Sequence, residues 1–253
     1  MRVDIFGYGN RPSKMKSKRA FTLIELLVVV AVVVILAGLL LPVLSRAKQS
    51  GLRTVCVSNM RQMNLSLRLY VDDHDGWYPV RTEERRWTSQ LEGYFQDARV
   101  LVCPSDPNPK VNAVGFDGSD RSYIMNGFAD SAAADFGSDD WNAYMARAGE
   151  RTVMDEEFQH PNETILFGEK VSGTDFFYVD LKKAMGSYLE SIEHGRHGGK
   201  GGMLGMMERA GGSNFGFVDG SVRFLESTKS TCPVNLWGVT DYYRTNYAVC
   251  FFF

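Results

Sequence analysis

Clustered positive charge is scarce in this chain outside one short stretch. There are 28 Lys and Arg against 30 Asp and Glu, a formal net charge of −2, and the basic residues gather only at Lys14, Lys16, Lys18 and Arg19. Nucleic acid is therefore not an expected partner. Cysteine is sparse as well: Cys56, Cys103, Cys232 and Cys250 lie far apart, and no His pair has ligand spacing, which argues against zinc. Asp72-Asp73-His74-Asp75-Gly76 clusters carboxylates before a glycine but lacks the loop pattern and distant Glu of an EF-hand, so Asp72, Asp73 and Asp75 are metal candidates by proximity alone. No Ser or Cys nucleophile motif is present, and no cofactor or enzymatic activity is expected. With 253 residues, 44% of them apolar, the chain has room for a membrane helix and one globular domain of ordinary size, but not for two large ones.

Long apolar runs are also rare, and the one that exists is the most informative segment. Phe21-Thr22-Leu23-Ile24-Glu25 leads into an unbroken apolar stretch from Leu26 to Leu41. Phe21 to Leu41 has the roughly twenty residues needed to cross a bilayer. The basic cluster ahead of it ends in Ala20 and predicts a cytoplasmic N-terminus with the rest of the chain outside. In a secretory signal peptide the small-residue cleavage site follows the apolar run; here Ala20 precedes it, and cutting before Phe21 removes the leader while keeping the helix. An isolated Glu25 in hydrocarbon costs a few kcal/mol, on the order of 2.5 or more, so its presence calls for a partner charge. A signal anchor with Glu25 facing interfacial water accommodates the charge but accounts for neither the Ala20-Phe21 junction nor Pro42.

At these residues the sequence resembles the type IV prepilin and pseudopilin family. Its members lose a basic leader to prepilin peptidase before a Phe that is then N-methylated. Counting Phe21 as the first mature residue, Glu25 occupies the family's fifth position and Pro42 its helix-bending twenty-second. One departure is Ala20, where the family usually has Gly. A start at Met15 gives a short leader, Met-Lys-Ser-Lys-Arg-Ala, and residues 1–14 carry no pattern of their own. The resemblance implies a leader over 1–20, a transmembrane helix over 21–41, an amphipathic continuation over 42–72 and an extracytoplasmic head over 73–253. The four cysteines then lie where disulfides form. They allow three pairings; the family's habit of closing a carboxy-terminal loop favours Cys232 with Cys250, leaving Cys56 with Cys103.

Beyond the span, Leu52, Cys56, Met60, Met63, Leu67 and Tyr70 recur at three- and four-residue steps, which predicts a helix packed by this stripe onto the head, with Asn59, Arg61, Gln62, Asn64 and Arg68 on the other faces. Phe21 to Tyr70 would make a helix about 75 Å long, bent but not ended at Pro42 and Gly51. Arg86 to Phe95 reads as a short helix with Trp87, Leu91, Tyr94 and Phe95 inward, and Val100 to Cys103 as a strand stopped by Pro104. Residues 105–120 and 130–140 read as loops. Thr164 to Gly168 and Phe176 to Leu181 are short strand candidates. Asn214 to Val218 and Ser221 to Leu225 flank Asp219-Gly220, which predicts a hairpin with a type I′ turn and Phe215 and Phe217 on one face. Residues 195–212, rich in Gly and Met, read as a mobile insertion. The expected fold is α+β: a long N-terminal helix packed on an antiparallel sheet.

The head is similar to that of large prepilin-like proteins with a DUF1559-like or H-X9-DG head. The resemblance rests on Cys56-Val-Ser-Asn-Met-Arg-Gln-Met, Leu69-Tyr70 through Trp77-Tyr78-Pro79, Cys103-Pro-Ser-Asp106 and Ser122-Tyr-Ile-Met-Asn126. Arg196-His197 and Asp219-Gly220 match the ends of the naming motif, with twenty-one residues between His197 and Asp219; the insertion accounts for the excess. A His and an Asp can move protons, but Asp219 before Gly220 is explained by the turn. The resemblance implies a filament subunit, either a pseudopilin of type II secretion or a type IV pilin, in a minor or tip position given the bulky head. Its implied partners are prepilin peptidase, other pilin subunits, membrane lipid and the inner-membrane assembly platform with its ATPase. The implied location is the inner membrane, crossed once, with the head periplasmic or extracellular. The alternative is a membrane-tethered binding protein exported by the same signal without joining a filament.

Overall fold

The computed structural model describes residues 22–82, 85–95, 97–110, 115–130, 152–181, 187–198 and 211–250. The leader, Ala20, Phe21, most of the 130–140 loop and most of the 195–212 insertion lie outside them. The chain divides into two units, residues 1–46 and 47–253.

In the first unit, α1 (Leu23–Asp73) begins. Its apolar side chains have nothing to cover them: Leu23 is 82% exposed and even Val32 is 49% exposed. So large an exposed apolar surface on a soluble domain would be untenable; a bilayer is the solvent that matches it. The helix passes through Pro42. A proline there cannot donate to the carbonyl four residues back, at Gly38.

The second unit is built on the remaining turns of α1 and a five-stranded sheet. Cys56, Met60, Met63, Leu67, Tyr70 and Val71 of α1 are buried, as the stripe requires. They meet Tyr123 and Met125 of β1 (Tyr123–Asn126), Leu166 and Phe167 of β2 (Ile165–Glu169), and Trp87 and Leu91 in one core. Unbranched methionines fit such mixed aromatic surroundings because they adapt to irregular gaps. Asn64 departs from the expected polar face. It is buried, and its amide donates to the carbonyl of Gly220 at 3.3 Å. Gly216 makes room, since a Cβ there would stand 2.7 Å from Asn64 Oδ1. α1 ends at His74 to Gly76, where Asp75 and Gly76 take positive φ and Gly76 N–H closes back on Val71 O at 2.9 Å.

The strands run in the order β3-β1-β2-β4-β5, where β3 is Tyr178–Val179, β4 is Gly212–Phe217 and β5 is Val222–Glu226. The sheet is mixed rather than antiparallel throughout: β1–β2, β2–β4 and β4–β5 are antiparallel, but β3 joins β1 in parallel. A register shift between Ile165 and Phe167 breaks the alternation of β2. Leu166 and Phe167 thus both join the core under α1, while Ile165 joins a second core with Ile124, Phe215, Phe217, Trp237 and Tyr243.

Three local expectations change. Val100 to Cys103 is not a strand: Ala98–Leu101 is a 3-10 turn whose N-cap Asp97 accepts from Arg99 N–H. Its apolar run reflects burial of Val100, Leu101 and Cys103, which periodicity cannot tell from a strand over so few residues. The helix expected over 86–95 divides into α2 (Trp87–Gln90) and a 3-10 turn, Glu92–Tyr94. The hairpin turn is not type I′. Gly220 has φ of +83°, but Asp219 is not among the positive-φ residues. Gly220 N–H bonds Phe217 O and Phe217 N–H bonds Ser221 O. This is a three-residue loop closed by a left-handed glycine, the other common hairpin solution.

The last described helix is α3 (Asp241–Asn246), whose Tyr243 joins Trp237 in the second core. A Cys232–Cys250 disulfide closes this segment. Val249 N–H bonds Thr231 O at 3.0 Å and Asn235 N–H bonds Arg244 O at 2.9 Å, tying its two arms together.

Candidate functional site

At the start of α1, Thr22 and Glu25 satisfy one another. Thr22 N–H and Oγ1 donate to Glu25 Oε2 at 2.9 and 2.8 Å, and Glu25 N–H reaches Thr22 Oγ1 at 3.3 Å. This is a capping box, and Thr22-x-x-Glu25 is its sequence signature. It places the carboxylate beside the positive end of the helix dipole. It fixes the orientation of Glu25 but brings no cation to it. Ala20 and Phe21 lie outside the described residues. Pro42 lies in the interior of α1, exposed.

In the head, the motif residues do not converge. His197 N–H and C=O exchange hydrogen bonds with Gly212, at the first residue of β4. Asp219 and Gly220 lie past its other end. Six strand residues of about 3.3 Å each put roughly 20 Å between them, so no His–Asp dyad forms. Asp219 and Gly220 instead line a cleft of about 600 Å³ with Arg61, Asn64, Arg68 and Asp155. Asp219 accepts Ser221 N–H at 2.9 Å, a turn role.

His197 is buried, and its partner is a residue the sequence did not flag. Its Nε2 lies 2.8 Å from Oε1 of Glu169, the fully buried last residue of β2. Asn214 N–H donates to Glu169 Oε2 at 3.3 Å. Arg196 bonds Asp106 at 3.0 Å and the carbonyl of Lys170, and its Nε lies 3.9 Å from Glu169. Burial pushes the Asp106 carboxyl up, but Arg196, the Ser172 and Ser122 hydroxyls and Asn108 N–H outweigh it and hold the group below the ordinary range. Burial pushes the Lys170 ammonium down to about 8. The buried charges are compensated in part: Asp106 pairs with Arg196, Glu169 accepts from Asn214 and faces His197, and Lys170 Nζ donates to the Thr174 carbonyl at 2.9 Å. The network surrounds the Cys56–Cys103 disulfide, with Cys103 Sγ 3.9 Å from His197 Nε2. Through that bond α1 is tied covalently to the segment leading into Asp106. The sequence signals for this network were the Cys103-Pro-Ser-Asp106 and Arg196-His197 motifs; Glu169 carried none.

The carboxylates at the end of α1 do not gather around a common point. Asp72 pairs with Arg68 at 3.1 Å, Asp73 accepts Tyr94 Oη–H at 3.0 Å, and Asp75 occupies the positive-φ turn. Among the described residues, the side chains that converge as potential metal ligands are Cys56, Cys103, Glu169 and His197.

An apolar helix opened by Thr22 and Glu25, continuing as the packing helix of a mixed-sheet head, defines a pilin-like α+β protein anchored by a single helix. The prokaryotic N-terminal methylation motif matches residues 15–41. Over 96 residues, 38% of this chain and 92% of the relative, the sequence is 31% identical to ComG operon protein 3 homolog of Bacillus licheniformis. The chain belongs to the prepilin-like family that contains this relative. No solved structure gives a significant match. Membership implies processing by prepilin peptidase and assembly with other pilin subunits.

Proposed function

We propose that the protein is a filament subunit of a type II secretion pseudopilus or type IV pilus, in a minor or tip position. Prepilin peptidase cuts between Ala20 and Phe21, and Phe21 is N-methylated. The helix then crosses the inner membrane once, with the head in the periplasm or beyond, and an assembly platform with its ATPase extracts it into the filament. The H-X9-DG-like elements of the head serve its own packing: His197 helps to hold β4 and Glu169 in place, and Asp219-Gly220 makes the hairpin turn.

The observation that carries this reading is Glu25. Its carboxylate is oriented by Thr22 at the head of a helix whose large apolar side chains from Leu23 to Leu44 are exposed. A negative charge in hydrocarbon is relieved when the freed amine of Phe21 on a neighbouring subunit approaches it, and assembly is favoured over monomer. Glu25→Gln isolates the charge, because Gln preserves the capping box and eases insertion. The variant should be processed and folded as the parent. Removing one partner of a buried ion pair costs about 3–5 kcal/mol, so its recovery in sheared filaments should fall at least about tenfold. A processed Glu25→Gln variant that enters filaments as well as the parent contradicts the proposal and favours the tethered binding protein.

A further inference from the structure

We propose that, when the Cys56–Cys103 bond is reduced, Cys56, Cys103, His197 and Glu169 form a tetrahedral Zn²⁺ site, so that this point of the head is closed by either a disulfide or a metal. The proposal is independent of the filament reading. It rests on convergence: four ligand atoms from four separate stretches of chain, all buried, lie within 4.8 Å of one another. Ligands at about 2.0–2.3 Å from zinc stand about 3.3–3.8 Å apart in a tetrahedron. His197 Nε2 and Cys103 Sγ are already at 3.9 Å and His197 Nε2 and Glu169 Oε1 at 2.8 Å. The two sulfurs must separate, which cleavage of their bond permits, and the remaining pairs lie within 4.8 Å.

The donor set suits the ion. Two thiolates, one imidazole and one carboxylate are all ordinary zinc ligands, and four protein ligands close the site as structural zinc requires. Two thiolates, Glu169 and Asp106 contribute four negative charges, set against Zn²⁺, Arg196, which lies 3.9 Å from Glu169 and 3.0 Å from Asp106, and Lys170, which interacts with Asp106. Outer contacts of the kind that orient metal ligands are in place: Asn214 N–H holds Glu169, and the backbone pairing with Gly212 holds His197. Arg196 Nε is buried with no hydrogen-bond partner, available to a carboxylate that shifts toward a metal.

The interconversion is a two-electron step. A small-molecule dithiol reduces the disulfide to two thiols and itself becomes a cyclic disulfide. Zn²⁺ then displaces two protons as both thiolates bind. Thiol–disulfide exchange with a small-molecule disulfide, which takes up the two electrons and two protons and leaves as two thiols, rejoins the sulfurs and releases Zn²⁺. The metal form would keep α1 fastened to the sheet where the disulfide is open.

The test uses the full chain in detergent. Protein is reduced with a dithiol, freed of it under anaerobic conditions, and titrated with Zn²⁺ or Co²⁺ beside an oxidised sample. The reduced chain should hold one metal ion, with thiolate-to-cobalt charge transfer and the visible bands of tetrahedral Co²⁺; the oxidised chain should hold none. Bound Zn²⁺ should slow alkylation of Cys56 and Cys103 at least about tenfold, read by peptide mapping, and leave Cys232 and Cys250 unprotected. His197→Ala should weaken metal affinity by about tenfold or more, the scale on which even outer contacts act. The wild-type comparison needs no variant. A reduced chain that takes up no metal, protection that extends equally to Cys232 and Cys250, or a folded His197→Ala chain with undiminished affinity would overturn the proposal.

Discussion

Gly168 lies in β2 beneath the indole of Trp237. A Cβ added to it would meet that ring at 2.8 Å and Phe215 at 3.1 Å, and Trp237 is fully buried with no room to turn. Gly168→Ala should therefore destabilise the head by about 1–3 kcal/mol, the usual cost of overpacking. The expected signature is a lower urea midpoint with an unchanged slope; an unchanged midpoint would show that the second core yields more readily than its packing implies. Residues of this kind were not legible beforehand, because what makes Gly168 indispensable is a tryptophan 69 positions away. Asn64 was misplaced for a related reason. Its polarity assigns it to the solvent face, but the Gly220 carbonyl lies within reach and satisfies its amide in the interior. Thr22 and Glu25 differ in that a capping box is written entirely in four consecutive residues, yet the charge of Glu25 in an apolar run drew attention away from that signature.

Among the elements, α1 and the β4–β5 hairpin were readable because local rules govern them: an apolar run, a stripe at helical spacing and alternation about a glycine turn. The detail of the turn was not, since Asp-Gly serves both the two-residue loop and the three-residue loop found here. The parallel pairing of β3 depends on a long connection through the rest of the head, which no local pattern records. The C-terminal segment is held differently, by its disulfide and a few backbone bonds. Cys232 and Cys250 are 18 residues apart, and closing a loop of that size contributes about 3 kcal/mol. Replacing both by Ser should lower stability by about that amount. The loss should be local: amide exchange should rise first in α3 and around Val249, while β1, β2 and β4 keep their protection. Uniform loss of protection across the sheet would show that α3 is integral to the folding unit.

For the whole molecule, two solvents explain the division of the chain. Described residues of the first unit expose an apolar surface that fits a membrane, and the second unit buries its own cores. The anchor was legible in the sequence because a bilayer imposes length and composition directly. The buried network of Glu169, Arg196, His197 and Asp106 was not, because its members come from separate segments and acquire partners only when the sheet assembles. Membership in the prepilin-like family implies processing of the leader; we propose that Phe21 becomes the mature terminus and that its amine becomes available to Glu25. Mass spectrometry of the N-terminal peptide of protein recovered from its native envelope tests that account most directly. The predicted result is a peptide that begins at Phe21 and carries one methyl group on its amine; a terminus retained upstream of Phe21, or one created after Leu41, would contradict it.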